Sequence, residues 1–166
     1  LIKRSASSSG LVTLQDSCVY IVAEGTIWKV GDRQTIIASG FVCPKSFTIF
    51  NNYAWVCDDI GTYARIYCFE MGVGIDVTVI KPVFEYPYVD GLGSGIIGGF
   101  YYKKYFFYAD QEGYLGMIEF RDNKYIQVAH KRIVEKINSI SFLDNIIICT
   151  PVGVLSYTLK TKVRSC

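Results

Sequence analysis

The residues of this chain that could do chemistry are carboxylates and aromatics gathered near turns. Asp58 and Asp59 precede Gly61, Asp110 and Glu112 precede Gly113, and Glu24 precedes Gly25. Carboxylates in pairs are what general acid–base catalysis uses, but sequence places no pair of these at a working separation. A second group, Phe84, Tyr86 and Tyr88, alternates with prolines and acids in KPVFEYPYVDGLGSG. Aromatic side chains there offer large contact area at low entropic cost, which suits a binding surface, and long connections on a rigid scaffold are frequent sites of function. The alternative is that they cap a channel or cover a sheet edge.

Other chemistries are argued down. The single histidine, His130, has no partner at ligand spacing and the six cysteines include no CxxC pair, so no metal site is expected. Cys57 and Cys149 fall where the third copy of an internal repeat has Ala109, and read as small buried hydrophobes. Cys18, Cys43 and Cys166 fall near loops or ends, where a closing disulfide would form in a secreted protein. No GxSxG, HExxH or Walker-type loop occurs. GLGSGIIG looks like a phosphate-binding loop, but that fingerprint needs a following helix. FYYKKYFFYAD follows instead and reads as strand, so these glycines are expected to let the backbone pass close to its neighbours. No catalytic residue and no cofactor is expected.

The elements that must hold these residues announce themselves as a repeat. CVYIVAEGTIWKV, YAWVCDDIGTYARIYCF, YFFYADQEGYLGMIEF and IIICTPVGVLSYTL each break a hydrophobic run at a turn, with Gly25, Gly61, Gly113 and Gly153 spaced 36, 52 and 40 residues apart. Phe50 to Asp59, Tyr102 to Gln111 and Phe142 to Pro151 align: an aromatic, polar turn residues, then a strand ending in Cys57, Ala109 or Cys149. The first copy is looser. Each unit reads as four short strands rich in Val, Ile, Tyr, Phe and Thr; in the second these are SFTIF, YAWVCD, ARIYCFE and DVTVIK (Asp76 to Lys81). VAHKRIVEKINSI could line one helical face but crosses a junction between units. In the second hairpin, Cys57 and Cys68 would stand opposite each other across a turn at Gly61 to Ala64.

Hydrophobic residues make up 51% and charged residues 19% of 166, with a net charge of +2. That composition supports a sizeable core in one domain and does not by itself imply nucleic acid. No apolar stretch reaches the roughly 18 residues of a membrane span. Residues 1–10, LIKRSASSSG, read as a Ser-rich tail or closing strand from which something upstream was removed. Residues 11–166 form the domain, with units at about 11–40, 45–81, 96–130 and 137–166.

Repeats of this length and strand content resemble the β-propellers, with blades similar to those of the WD-repeat (WD40) group but without the Trp-Asp and Gly-His signatures. The resemblance implies an all-β propeller of about four four-stranded antiparallel blades, forming a complete small ring or part of a larger one. The complete ring is favoured, closed by a strand from the N-terminus. It also implies that the acidic turns share one face with the long aromatic connection. Lys103, Lys104, Arg121, Lys124, Lys160, Lys162 and Arg164 would lie on the opposite face. The functional expectation is a non-catalytic protein-interaction or assembly scaffold whose contact surface is Phe84, Tyr86, Tyr88, Asp58, Asp59, Asp110 and Glu112. The alternatives are a secreted or viral surface propeller binding a receptor or glycan, and a structural subunit touching protein or nucleic acid through its basic face.

Overall fold

The computed structural model describes residues 11–15, 17–88 and 95–158. Their order is β1 Leu11–Gln15, β2 Cys18–Ala23, β3 Thr26–Val30, β4 Thr35–Ser39, β5 Pro44–Phe50, β6 Tyr53–Asp59, β7 Tyr63–Glu70, β8 Ile75–Asp76 and a 3₁₀ turn Val77–Val79. There follow β9 Phe84–Pro87, β10 Ile96–Tyr102, β11 Tyr105–Asp110, β12 Tyr114–Arg121, β13 Lys124–Arg132, β14 Ser139–Leu143, β15 Asn145–Thr150 and β16 Gly153–Tyr157. The protein is all-β, and no α-helix occurs among the described residues.

The strands form four sheets, each an antiparallel meander: β1-β2-β3-β4, β5-β6-β7-β9, β10-β11-β12-β13 and β14-β15-β16. The two-residue β8 adds to the edge of the first sheet in parallel, Ala38 opposite Ile75. The turns reward residues that tolerate positive φ: Asn51 and Asn52 join β5 to β6, and Asp122 and Asn123 join β12 to β13. VAHKRIVEKINSI forms no helix. Its first part belongs to β13, and Ile133, Val134 and Ile137 pack beneath the fourth sheet.

The first strands of successive sheets are neighbours, β1 with β5, β5 with β10 and β10 with β14. Three apolar clusters fill the spaces between successive sheets. Tyr20, Val22 and Ile27 meet Phe47, Val56 and Phe69 between the first and second. Trp55, Cys57 and Ile66 meet Phe106, Tyr108 and Ile118 between the second and third. Phe100, Phe107 and Ala109 meet Ile146 and Ile148 between the third and fourth. Among the described residues no such cluster joins the fourth sheet to the first. Strands covered on both faces read as continuous apolar runs, and in YFFYAD of β11 every residue after Tyr105 is buried.

Two strand-level expectations need correcting. DVTVIK is not the fourth strand of the second sheet: Asp76 caps the 3₁₀ turn by accepting the Thr78 N–H at 2.9 Å, and Val77 is buried in the first cluster. Phe84–Pro87 supplies that strand instead, pairing Tyr86 with Ala64 and Phe84 with Ile66. Nor do Cys57 and Cys68 oppose each other. The turn falls one residue earlier than expected, Asp59 pairs with Ala64, and the register sets Cys57 against Ile66 and Cys68 against Trp55.

Candidate functional site

The residues expected to form a contact surface stand at the turn ends of the second and third sheets, and most are turned inward. Asp58 and Asp110, equivalent in the repeat, stand in the last two residues of β6 and β11 and are each 1% exposed. Asp58 accepts the Val42 N–H at 3.1 Å and the Cys43 N–H at 2.7 Å, fixing the chain as it enters the second sheet. Asp110 accepts the Tyr114 N–H at 3.0 Å across its own turn and the Tyr86 hydroxyl at 2.7 Å. Burial pushes both carboxyls above their ordinary range, against the hydrogen bonds that favour the charged form.

The aromatic segment covers a sheet edge, the alternative its sequence allowed. Because Phe84–Pro87 is a strand, its side chains alternate: Tyr86 is 4% exposed whereas Glu85 and Pro87 face solvent. Phe84 and Tyr86 lie against Tyr108 of the third sheet at ring separations of 5.8 and 5.3 Å. The Tyr88 hydroxyl donates to Asp59 at 3.3 Å and accepts the Ile96 N–H at 2.7 Å, tying the two ends of the long connection together. Of the seven residues proposed from sequence, only Glu112 is exposed. The rest of that connection, residues 89–94, lies outside the described residues.

His130, which sequence spacing dismissed, completes the cluster. Its Nε2 stands 3.0 Å from the Tyr86 hydroxyl, and its ring stacks on Tyr114 at 4.8 Å and 12°. Since the single hydroxyl proton of Tyr86 points to Asp110, geometry assigns Nε2 as the donor to Tyr86. The result is a directed chain from His130 through Tyr86 to Asp110. Burial and the neighbouring Asp110 carboxylate raise the Tyr86 phenol well above its ordinary range, the opposite of what a phenolate nucleophile needs. The arrangement therefore pins the edge strand of the second sheet to β11, β12 and β13 of the third. Nothing in the sequence could have flagged it, because Tyr86 and His130 are brought together only by the packing of two sheets.

Burial lowers the His130 pKa from 6.5. A base whose folded pKa is depressed contributes fully above its unfolded pKa, and that contribution is lost as pH falls below it. We expect the melting temperature to fall as the pH drops below 6.5. His130→Gln should flatten that fall in a pH series of thermal melts. A wild-type curve that does not decline below that pH would show that His130 accepts its proton at no cost to the fold.

The sequence matches no known protein family and no curated protein. The solved structures it resembles include two computationally designed proteins. Ika4 aligns over 93% of this chain and 94% of its own, with a TM-score of 0.58 and 13% identity. Ika8 aligns over 89% of this chain with a TM-score of 0.57 and 12% identity, and the match spans 45% of the Ika8 chain. At such identity the likeness is one of fold, a repeated array of β-sheets.

Part of the expected basic face is engaged within the chain. Lys104 and Arg121 both pair with Glu119, at 2.6 and 2.8 Å, and Lys104 above all holds that carboxyl below its ordinary range. Lys103 and Lys124 lie on β-turn and strand ends nearby, whereas Lys160, Lys162 and Arg164 lie outside the described residues. The described cysteines are unpaired, and burial raises the Cys57 and Cys68 thiols to about 12 and about 11, where little thiolate forms. The small residues Gly98 and Gly99 serve packing: Ser46 of β5 accepts the Gly99 N–H at 3.1 Å, and a Cβ on Gly99 would meet the Phe107 carbonyl at 2.4 Å.

Proposed function

We propose that this chain is a non-catalytic assembly module, its sheets arranged as the blades of a β-propeller-like array, and that its contact surfaces are the two end faces. The observation that carries this reading is a mismatch between sequence and burial in the end sheets. CVYIVA of β2 and NIIICT of β15 are as continuously apolar as the doubly covered strands, yet only alternate residues are buried. Val19, Ile21, Trp28, Val30 and Ile36 form the face of the first sheet turned away from the second, with Ile21 opposite Trp28 and Trp28 opposite Ile36. All of them remain partly or fully exposed. Contiguous apolar surface of this kind marks a contact site.

Trp28→Glu should remove the partner without unfolding the chain. Isolated from its source through an affinity tag, the wild type is expected to elute with a mass above that of one chain, and the variant at the mass of one chain. Their melting temperatures, taken at a dilution where the wild type is dissociated, should agree. A variant that keeps the wild-type mass would sink the reading, and one that loses its strand signal would make Trp28 structural.

A further inference from the structure

The end faces also indicate what covers them. In the repeat, Trp55 and Cys57 of the second sheet and Phe107 and Ala109 of the third point toward the next sheet along the chain, and are 3%, 0%, 5% and 0% exposed. Their equivalents in the fourth sheet are Ile147 and Cys149, opposite Ser156 and Val154, and no described sheet follows. Toward the preceding sheet point Ala54 and Val56, Phe106 and Tyr108, and Ile146 and Ile148, none more than 2% exposed. In the first sheet that face is held by Val19 and Ile21, and no described sheet precedes it. One end thus lacks a following sheet and the other a preceding one. The first sheet keeps Val19, Ile21, Trp28 and Val30 on its free face, and the fourth keeps Ile147, Cys149 and Val154 among Ser139, Ser141 and Ser156.

A single kind of occupant satisfies both positions: one that offers a first-sheet face to the fourth sheet and a fourth-sheet face to the first. We propose that it is a second copy of this chain, the first sheet of each packing on the fourth sheet of the other. Two such junctions related by a two-fold axis close the assembly, with no face left to recruit a third copy. The same sheet array already occurs both as nearly a whole chain and as less than half of a longer one, since the match spans 94% of Ika4 and 45% of Ika8. The array can therefore be continued by further sheets. This proposal rests on the assembly reading above and names the partner.

The test uses mass and cross-linking together. The purified wild type should show twice the mass of one chain by native mass spectrometry and by light scattering. For the second arm, Ile21→Cys is combined with Cys18→Ser, Cys43→Ser and Cys166→Ser. That leaves one thiol on each end face, Cys149 and the new one, besides the interior Cys57 and Cys68. A short bismaleimide should give covalent dimer and nothing larger. A monomer linked within its own chain would mean that the fourth sheet closes on the first, overturning this proposal and the assembly reading together. A monomer with no link, recovered only alongside another polypeptide, would overturn the second copy and leave the assembly reading standing. A ladder of larger products would overturn the closed two-fold dimer.

Discussion

Replacing Gly113 by Ala is expected to cost at least about 3 kcal/mol, whereas the same change at Gly61 should cost about 1–2 kcal/mol. Both glycines have positive φ, +89° and +96°, so both replacements meet the penalty of the left-handed region. They differ in what passes over them. A Cβ on Gly61 meets nothing within 4 Å, but one on Gly113 would lie 1.9 Å from the Val134 carbonyl oxygen. That oxygen is backbone and cannot rotate away. The connection to the fourth sheet would have to lift, breaking the 2.9 Å hydrogen bond from the Ile133 N–H to the Gly113 carbonyl. Val134 and Ile137 would leave their cluster with it. At roughly 2–4 °C per kcal/mol for a domain of this size, Gly113→Ala should lower the melting temperature by about 6–12 °C or more. Equal losses at the two positions would show that backbone conformation alone decides. Gly25 repeats the arrangement, with the Phe41 carbonyl oxygen 2.2 Å from its Cβ position and the Phe41 N–H bonded to its carbonyl.

Asp58→Ala should be comparably severe. It leaves the part-buried Val42 and Cys43 amides without the carboxylate that receives both, and a donor left unpaired costs up to about 1–3 kcal/mol when fully buried. Asp58→Asn keeps the shape and one acceptor oxygen, so it should lose markedly less. Asp59→Ala should lose least, because its bond from the Gly61 N–H at 2.9 Å lies in an exposed turn, its bond from the Tyr88 hydroxyl is long at 3.3 Å, and its 4.0 Å contact with Lys45 is a partly exposed ion pair. Denaturant titrations of the three variants should show the largest loss of stability for Asp58→Ala, an intermediate loss for Asp58→Asn and the smallest for Asp59→Ala. If Asp58→Ala proved no worse than Asp59→Ala, the carboxylate would have no capping role.

The sequence made the sheets legible and hid the direction its residues face. Gly and Asn punctuation and β-branched runs mark most strands within one or two residues, because turns and strands are local chemistry. The fourth strand of the second sheet is misplaced from sequence because DVTVIK and FEYP look equally strand-like. Only the cap that Asp76 gives to Thr78 and the burial of Val77 separate them. The same ambiguity makes an edge strand look like a binding loop. Once Phe84–Pro87 is a strand, alternation sends Tyr86 inward toward Asp110, and an apparent contact residue becomes a strut. The apolar runs CVYIVA and NIIICT are readable from the start. What they imply is not, because a run buried on both faces can be told from one awaiting a partner only when the neighbouring sheets are in place.

The three clusters between successive sheets also bear on how the chain comes into being. Each sheet rests on the one made just before it, and no described cluster needs the fourth sheet to reach back to the first. A growing polypeptide can therefore settle in the order of its synthesis, the second sheet docking on the first while the third is still unmade. The loops to be closed remain about one unit long however many units follow, which keeps the entropic barrier of each step nearly constant. The polypeptide is in effect laid down like courses of brick, each newly finished course presenting the surface on which the next can set.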